Sequence, residues 1–310
     1  MEISKRKKSE ILKMKKAHRA YSYISQHLEI PIDDIKSFLR NPEIDKKEQK
    51  IFENLTPKIH VEKFLKPEDS VIRFGLIGDT HMNSNYFQLT FLNTFYDECV
   101  RRGIKVVYHS GDIDDGELMR MGHQYDCYTQ GGDQHVNEIV KNYPVRESIV
   151  TKFITGNHDA SIFKKCGMDI GKAVASRRSD MEYLGRDCAR VYLTPNCILE
   201  LRHPWDGTAY AISYKPQKMI DSFEPDSKPN ILAIGHYHKL EYIFYRNVHC
   251  FQTGCFQSQT PFTRGKGISV HLGGWIVEVH VDSNGIILSL NSTLIPFYRG
   301  IEDDYKNWPR

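Results

Sequence analysis

Two histidines one residue apart, His236 and His238, follow an apolar run in the stretch ILAIGHYH. Successive side chains of an extended strand point to opposite faces, so residues i and i+2 share a face and both imidazoles can reach one place. Such a pair suits two ligands of one metal ion, or one ligand each for two neighbouring ions. A pair of surface histidines at a strand end is the alternative that this stretch alone leaves open.

Four further apolar runs end in residue types that bind metal ions. They are LIGDTH with Asp79 and His81, HSGD with Asp112, TGNHD with Asn157, His158 and Asp159, and LRHP with His203. Glycine in most of these runs lets the chain turn without a clashing Cβ atom. Sites in α/β sheets gather at the carboxyl ends of strands, so ligands far apart in sequence can meet in space.

These runs and the opening pair offer imidazole, carboxylate and amide donors without a thiolate. Such donors favour Mn, Fe, Zn or Ni in a catalytic site over a structural zinc. Two Asp, one Asn and four His among them already exceed the needs of one catalytic ion and suit two ions that share a carboxylate. Paired ions about 3.5–4 Å apart activate a water and neutralise a phosphoryl group during in-line displacement.

The elements that must position these side chains alternate along the chain after residue 70. The first half of this region alternates strand-like apolar runs with helical or loop segments, and the second half is mostly strands with short turns. This pattern predicts an α/β fold of the α+β kind, in which two packed sheets are flanked by helices.

The N-terminal segment has a different pattern. Apolar residues at steps of three and four predict a helix over residues 9–28, and a turn at residues 29–31 separates it from a second helical stretch. The spacing resembles a helix-turn-helix of bacterial and phage regulators, in which the second helix would place Lys36 and Arg40 near DNA. Asp33 and Asp34 would repel phosphates, and helical packing without DNA binding is the alternative.

Basic charge is concentrated at the N-terminus. Residues 1–16 carry a net charge of +5, and the other 294 residues sum to −2. Lys5, Arg6, Lys7 and Lys8 would attract a phosphate backbone, although a solvated helix start is the alternative. We therefore predict a basic helix-turn-helix-like region over residues 1–42, a linker over 43–69 and one large domain over 70–310.

The spacing of the cysteines and the hydropathy of the sequence predict the cellular compartment. None of the seven cysteines forms a C-x-x-C motif, which argues against a zinc ribbon or a secreted disulfide scaffold. No apolar run approaches the roughly 18 residues that span a bilayer, and the N-terminus lacks the apolar core of a secretory signal. We expect a cytoplasmic protein of a bacterial cell or a phage, with no membrane partner and with homo-oligomers as an open alternative.

The ordered motifs GDTH, GD, GNHD, His203 and GHYH resemble the calcineurin-like metallophosphoesterase superfamily over about residues 71–295. The resemblance implies a four-layer α/β/β/α sandwich of two mixed sheets. It implies two divalent ions, with Mn as the first choice and Fe, Zn, Ni or Mg as alternatives. It assigns Asp79, His81 and His238 to one ion, Asn157, His203 and His236 to the other, and Asp112 as the bridge.

The same resemblance implies a mechanism. A hydroxide that bridges the ions would attack in line, and His158 would donate a proton to the leaving group with Asp159 orienting it. Asp115 in GDIDDG is a candidate to support the ligands from behind, with turn chemistry as the alternative.

The resemblance also limits the class of substrate that we expect. GDIDDGE lacks the arginine with which related protein phosphatases grip phosphate, so phosphodiesters are expected. Together with the N-terminal region, this favours a nuclease or phosphodiesterase acting on nucleic acid, DNA rather than RNA. The alternatives are a small-molecule or nucleotide phosphatase, and a non-catalytic DNA-binding protein on a phosphoesterase scaffold.

Other residues receive simpler interpretations. His123 and His135, in an insertion over residues 117–147, are expected to be surface or packing residues, with substrate contact as the alternative, and His109 is expected to be structural. Trp205 and Tyr237 are expected to pack, with base stacking as the alternative. Arg264 and Lys266 lie in a glycine-containing segment and could contact a phosphate backbone.

Overall fold

Two six-stranded sheets form the larger of the two units into which the chain divides, Met1–Thr56 and Pro57–Arg310. The computed structural model describes residues 4, 7, 10, 11, 14, 21–32, 34, 35, 58–62 and 71–307. Both sheets mix parallel and antiparallel neighbours, as expected from the sequence.

Sheet I carries the first three ligand-bearing runs. Its spatial order is β12 (Ile287–Phe297), β11 (Leu272–Val281), β2 (Val71–Ile77), β3 (Val106–His109), β4 (Val150–Thr155) and β5 (Met181–Arg186). Strands β2 to β5 run parallel, whereas β11 is antiparallel to both of its neighbours. The carboxyl ends of β2, β3 and β4 therefore lie at one edge.

Sheet II carries the other two runs. Its spatial order is β1 (Lys58–Val61), β6 (Cys188–Thr194), β7 (Cys197–Arg202), β8 (Ile231–Ile234), β10 (Val248–Thr253) and β9 (Leu240–Tyr245). Strands β7, β8 and β10 are parallel to one another. All four residues of β8 are buried, which explains why this strand appears in the sequence as a continuous apolar run.

Buried apolar clusters lie between the layers of the larger unit and hold the sheets and helices together. Phe74, Leu76, Leu199, Leu201 and Trp275 belong to a buried cluster between the sheets. The outer face of sheet I is covered by helices α2 (Leu89–Arg101), α3 (Gly132–Asn142), α4 (Asp159–Cys166) and α5 (Ile170–Ala175). Helix α6 (Tyr214–Asp221) packs on sheet II through Ile220. The predicted four-layer sandwich is confirmed.

Shorter elements complete this unit. Helix α7 (Pro261–Gly265) has Thr260 as its N-cap, and 3₁₀ turns span His123–Asp126 and Asp304–Asn307. All seven cysteines are free thiols. Within the described residues, no helix is both long enough and apolar enough to cross a bilayer.

The smaller unit contains helix α1 (Tyr21–Leu28), part of the helix predicted over residues 9–28. Its described apolar residues Ile11, Ile24, Leu28, Ile30 and Ile35 form one buried cluster. The helix ends at Glu29, whose φ of 53° is the left-handed conformation that glycine commonly adopts at this position. The turn therefore lies where the sequence predicts it, and the helix-turn-helix stays a prediction.

The predicted DNA contacts of this unit are only partly described. Lys7 donates a hydrogen bond from Nζ to the Leu28 carbonyl at 2.7 Å, so it serves the C-terminal end of α1. The other five predicted contacts lie outside the described residues: Lys5, Arg6, Lys8, Lys36 and Arg40.

The predicted linker over residues 43–69 includes a segment that joins both sheets. Strand β1 pairs with β6 at the edge of sheet II. The carboxylate of the next residue, Glu62, accepts hydrogen bonds from Tyr108 Oη at 2.8 Å and from Lys152 Nζ at 2.7 Å, both in sheet I. This segment is therefore part of the sandwich.

We expect Glu62→Ala to lower the free energy of unfolding by about 2 kcal/mol, because it leaves two donors without their shared carboxylate. Glu182→Ala is the matched control. Glu182 also contacts Lys152 Nζ, at 3.2 Å, but half of its side chain is exposed, so its loss should cost about 0.5 kcal/mol or less. Denaturant unfolding measures both; equal losses would contradict a structural role for Glu62.

Candidate metal centre

The predicted ligands converge where strands of the two sheets end. Asp79 and His81 follow β2, Asp112 follows β3, Asn157 follows β4, His203 follows β7, and His236 and His238 follow β8. All are buried or nearly so. Parallel strands bring these ends to one edge, which is why residues separated by up to 159 positions meet.

One cluster contains Asp79, His81 and His238. The Nε2 atoms of the two histidines lie 3.0 Å apart, and His238 Nε2 lies 3.3 Å from Asp79 Oδ1. The ligand atoms of the three residues all lie within 4.8 Å of one another. These are the residues that the resemblance assigns to the first ion.

A second cluster contains Asp112, Asn157, His203 and His236. His203 Nε2 lies 3.0 Å from both Asp112 Oδ2 and Asn157 Oδ1. Asp112 Oδ2 is also 4.0 Å from His81 Nε2 of the first cluster. The Asp112 carboxylate thus faces both clusters, which is the position expected of a shared ligand.

Hydrogen bonds set which imidazole nitrogen keeps its lone pair. In each of three histidines one ring nitrogen donates to a protein oxygen: His81 Nδ1 to Asp115 Oδ1 at 2.9 Å, His203 Nδ1 to the Ser110 carbonyl at 2.9 Å, and His236 Nε2 to the Asp206 carbonyl at 2.7 Å. The other nitrogen is then left to bind a metal, the usual arrangement of metal-binding histidines.

Backbone strain is concentrated at this centre. Five of the seven predicted ligands have φ between 48° and 76°, the left-handed region that residues with a Cβ atom rarely adopt: Asp79, His81, Asp112, His236 and His238. Each such residue costs on the order of 1–3 kcal/mol and persists only where surrounding structure holds it. This strain marks a functional site.

Close packing explains two of the glycines. A Cβ atom on Gly156 would lie 2.4 Å from Asp112 Oδ1 and 2.5 Å from the His203 ring, and one on Gly111 would lie 2.5 Å from His203 Nδ1. The backbone therefore approaches the ligands as closely as only glycine permits.

Burial and charge oppose each other at the ligands. Burial raises the pKa of Asp112, but the neighbouring charges of His203 and His158 outweigh it and hold that pKa well below its usual range. Burial lowers the pKa of His203, and the Asp112 carboxylate raises it to about 9. Protons and divalent cations would therefore compete for the same nitrogen lone pairs, and the donor set fits divalent metal ions.

His158 lies beside this centre, at the wall of the cleft. Its ring is 4.6 Å from the His81 ring, and its Nδ1 donates to the Asp115 carbonyl at 2.5 Å. The family resemblance implies an orienting role for Asp159, but in the structure Asp115 accepts the hydrogen bond from His158. Asp159 is the first residue of α4, and its carboxylate turns to the backbone N–H groups of Ile113, Asp114 and Gly156.

Asp115 connects several buried groups. Its carboxylate lies 2.9 Å from His81 Nδ1, 3.1 Å from Gln257 Nε2, 3.3 Å from His158 Nδ1 and 3.3 Å from His123 Nε2. The expectation that Asp115 supports the ligands agrees with these contacts.

His123 belongs to this buried group, although the sequence favours a surface or packing role for it over contact with a substrate. It is buried, its ring lies 5.5 Å from that of His158, and its Nδ1 accepts the Met119 N–H at 3.3 Å. Nε2 therefore carries the proton and donates to Asp115. His123 lies within the insertion, 14 residues beyond the end of β3, so the strand-end pattern could not identify it.

A cleft of about 530 Å³ opens over the centre. One wall comes from the insertion and another from α7, and the Arg120 guanidinium lies 4.7 Å from the centre of the Phe262 ring between them. The side chains in contact with the cleft include His81, Asp112, His123, His158, Trp205, His236, His238, Phe262 and Lys266. A substrate in this cleft would contact both clusters and His158.

The remaining sequence interpretations mostly concern structural residues. His109 is buried and bonded to Thr80 Oγ1 at 3.0 Å, as expected for a structural role. His135 is buried, 2.7 Å from an Asp114 carboxylate oxygen. Trp205 is half exposed; Lys164 and Arg186 lie 4.6 Å and 5.0 Å from its ring centre.

Comparisons with known proteins agree with this geometry. Residues 72–240 match the family model described as calcineurin-like phosphoesterase. Comparison with curated proteins gives no significant match.

Several solved structures align with this chain at low identity. A novel archaeal phosphodiesterase is 12% identical, with a TM-score of 0.39 over 72% of this chain and 100% of that one. Zn-complexed Vps29 from Entamoeba histolytica is 13% identical, with a TM-score of 0.35 over 73% and 99%. A 5'-nucleotidase precursor from Thermus thermophilus is 13% identical, with a TM-score of 0.39 over 76% and 57%.

We expect Gly156→Ala to weaken binding of divalent metal more than about tenfold, because the added methyl group displaces Asp112 and His203. Gly265→Ala is the matched control, since a Cβ atom there meets nothing within 4 Å. Calorimetric titration with Mn²⁺ measures both variants. Unchanged affinity in Gly156→Ala would contradict the assignment of these two ligands.

Proposed function

This chain belongs to the calcineurin-like phosphoesterase family, and on that premise we propose that it hydrolyses phosphodiester bonds in nucleic acid with two divalent metal ions. The observation that carries this proposal is the position of Asp112. Its Oδ2 lies 3.0 Å from His203 Nε2 in one cluster and 4.0 Å from His81 Nε2 in the other.

Each cluster has enough donors for one ion. Asp79, His81 and His238 would hold the first, and Asn157, His203 and His236 the second, with Asp112 shared between them. A bound pair of divalent ions supplies an activated water and neutralises phosphoryl charge. We expect Mn first, with Fe, Zn, Ni or Mg as alternatives, because imidazole and carboxylate suit these metals.

His158 is the group proposed to donate a proton to the leaving oxygen. Its Nδ1 donates to the Asp115 carbonyl, so Nε2 is the ring nitrogen left for the substrate, and it would give up its proton from the imidazolium form of the ring. A fifth of its side chain is exposed, whereas the ligands His81 and His203 are almost fully buried. An acid that must reach a substrate needs this access, and a metal ligand does not.

Three features favour nucleic acid, and DNA first, over a small-molecule substrate. The cleft is open at its rim, where Trp205 and Phe262 are partly exposed aromatic rings. Lys266 adds positive charge to its walls, whereas the neighbouring Arg120 is paired with Asp126. In this proposal the N-terminal region would add affinity for DNA through its predicted contacts Lys5, Arg6, Lys7, Lys8, Lys36 and Arg40.

The seven free thiols suit a reducing cytoplasm.

A cleavage panel tests the proposal. Protein loaded with Mn, Mg, Zn or Ni is offered bis-p-nitrophenyl phosphate, single- and double-stranded DNA, RNA and mononucleotides. We expect cleavage of the diesters and of DNA, and a loss of more than about 100-fold in Asp112→Asn, because even residues behind metal ligands contribute 10–100-fold. Asp221→Asn, at an exposed position, is the control. Cleavage of mononucleotides alone would favour the phosphatase alternative, and no cleavage would favour the scaffold alternative.

The role of His158 has a distinct kinetic signature. We expect His158→Ala to lower kcat by about 10²–10⁴-fold for a dinucleotide, whose alkoxide leaving group needs a proton. For bis-p-nitrophenyl phosphate, whose leaving group departs unprotonated, the loss should be smaller by at least about tenfold. Steady-state kinetics on the two substrates gives the ratio. Equal losses on both would contradict a role as general acid.

A further inference from the structure

A second cavity of about 410 Å³ adjoins the metal cleft. The two share Thr208, Tyr237, Lys266 and Ile268 as lining residues. A ligand that occupies the metal cleft could therefore extend into this cavity, which we call the lysine cavity. Of the residues that line the lysine cavity, the proposed function uses only Lys266, which also lines the metal cleft.

The charge of the lysine cavity is positive. Lys215, Lys239 and Lys266 line it, and none of its lining residues in the described chain is acidic. Lys215 is neutralised by Asp206, which lines the metal cleft. Lys239 Nζ meets only the neutral oxygens of Ser269, with the carbonyl at 2.5 Å. Two ammonium groups, those of Lys239 and Lys266, are thus left without an acidic partner among the described residues.

His271 adds a neutral hydrogen-bond donor to this cavity. Its Nδ1 accepts the backbone N–H of Leu240 at 3.1 Å, so Nε2 carries the proton. No described residue accepts a hydrogen bond from that Nε2. Two ammonium groups and one N–H are the donors that a phosphate group binds.

The lysine cavity lies directly beside the first metal cluster. Lys239 is the residue after the ligand His238, and the backbone N–H of His271 donates to the His238 carbonyl at 2.9 Å. Two of the three donor residues are therefore linked directly to His238, Lys239 through the peptide bond and His271 through a backbone hydrogen bond. A phosphate bound there would be a near neighbour of a phosphate at the metal centre.

An exposed aromatic ring stands at the rim. Tyr210 lines the lysine cavity and is fully exposed. Exposed aromatic rings beside positive grooves provide stacking surfaces for nucleobases, each worth about 1–3 kcal/mol. The combination of phosphate donors with a stacking surface matches a nucleotide unit better than an inorganic anion.

We propose that the lysine cavity binds the phosphate of the nucleotide next to the scissile bond, through Lys239, Lys266 and His271. This inference rests on the proposed phosphodiesterase function and makes it more specific. The preferred substrate is then a phosphodiester with at least one further phosphate. Two sources share this chemistry, an oligonucleotide strand and a dinucleoside polyphosphate.

The test compares substrates that differ by one phosphate. The dinucleotide dTpdT has only the scissile phosphate, whereas pdTpdT and dTpdTp carry another at either end. We expect the wild-type protein to prefer one of the two phosphorylated forms in kcat/KM, and Lys266→Ala to reduce that preference about five- to tenfold. Lys266→Arg should retain it. Lys172→Ala, whose lysine lines neither cavity, is the matched control and should leave it unchanged.

A dinucleoside tetraphosphate and a single-stranded 12-mer distinguish the two sources. The source whose kcat/KM falls further in Lys266→Ala is the one that uses the cavity. The inference is overturned if the wild-type protein does not distinguish dTpdT from its phosphorylated forms, or if Lys266→Ala slows all of them equally. Hydrolysis of dTpdT without such a preference would overturn the lysine cavity alone and leave the phosphodiesterase proposal intact.

Binding separates the two proposals if no diester is cleaved. Failure to cleave any diester with any metal would count against the proposed function. Fluorescence anisotropy with labelled dTpdT, pdTpdT and dTpdTp then decides on the cavity by itself. Tighter binding of either phosphorylated form that is lost in Lys266→Ala supports the lysine cavity, and equal binding of all three overturns it.

Discussion

The buried carboxylates of Asp79 and Asp112 are the constraint on which the rest of this structure depends. Both are almost wholly removed from solvent, where a negative charge is costly unless donors or cations compensate it. Backbone N–H groups supply part of that compensation, since the His236 N–H reaches Asp79 at 2.8 Å and the His158 N–H reaches Asp112 at 2.8 Å. The imidazoles supply the rest, and the same nitrogen atoms are suited to bind divalent cations. The site is thus organised by the charges that make metal binding favourable.

Such a charge cluster needs a rigid frame, which the two sheets provide. Parallel strands deliver the ligands to one edge, and the left-handed backbone after β2, β3 and β8 turns the side chains inward. Asp159 joins the turns after β3 and β4 by accepting three backbone N–H groups. Asp115 holds the rings of His81 and His158 from behind. The strain of the ligand backbone is therefore distributed over buried hydrogen bonds and packed strands, and its function is to keep lone pairs directed at the same place.

The ligand set could be predicted because its signal is local. A buried strand, a turn and a polar side chain occur together at Asp79, Asp112, Asn157, His203 and His236, and parallel strands make such signals converge. His123 carries no local signal, since it comes from an insertion and acquires its role only through contact with Asp115. Asp115 and Asp159 are both aspartates in or beside the motifs, and the sequence does not show which of them contacts His158. Strand β1 escaped notice because three of its four residues are exposed, so it lacks an apolar pattern.

The number of bound ions tests the central claim most directly. Mn²⁺ is titrated into metal-free protein while electron paramagnetic resonance records both the amount bound and the coupling between ions. Seven donor residues, one of which supplies a shared carboxylate, predict two Mn²⁺ per chain, close enough for their spins to couple at about 3.5–4 Å. Binding of a single uncoupled ion, or of none, would contradict the convergence of these side chains into a paired metal centre.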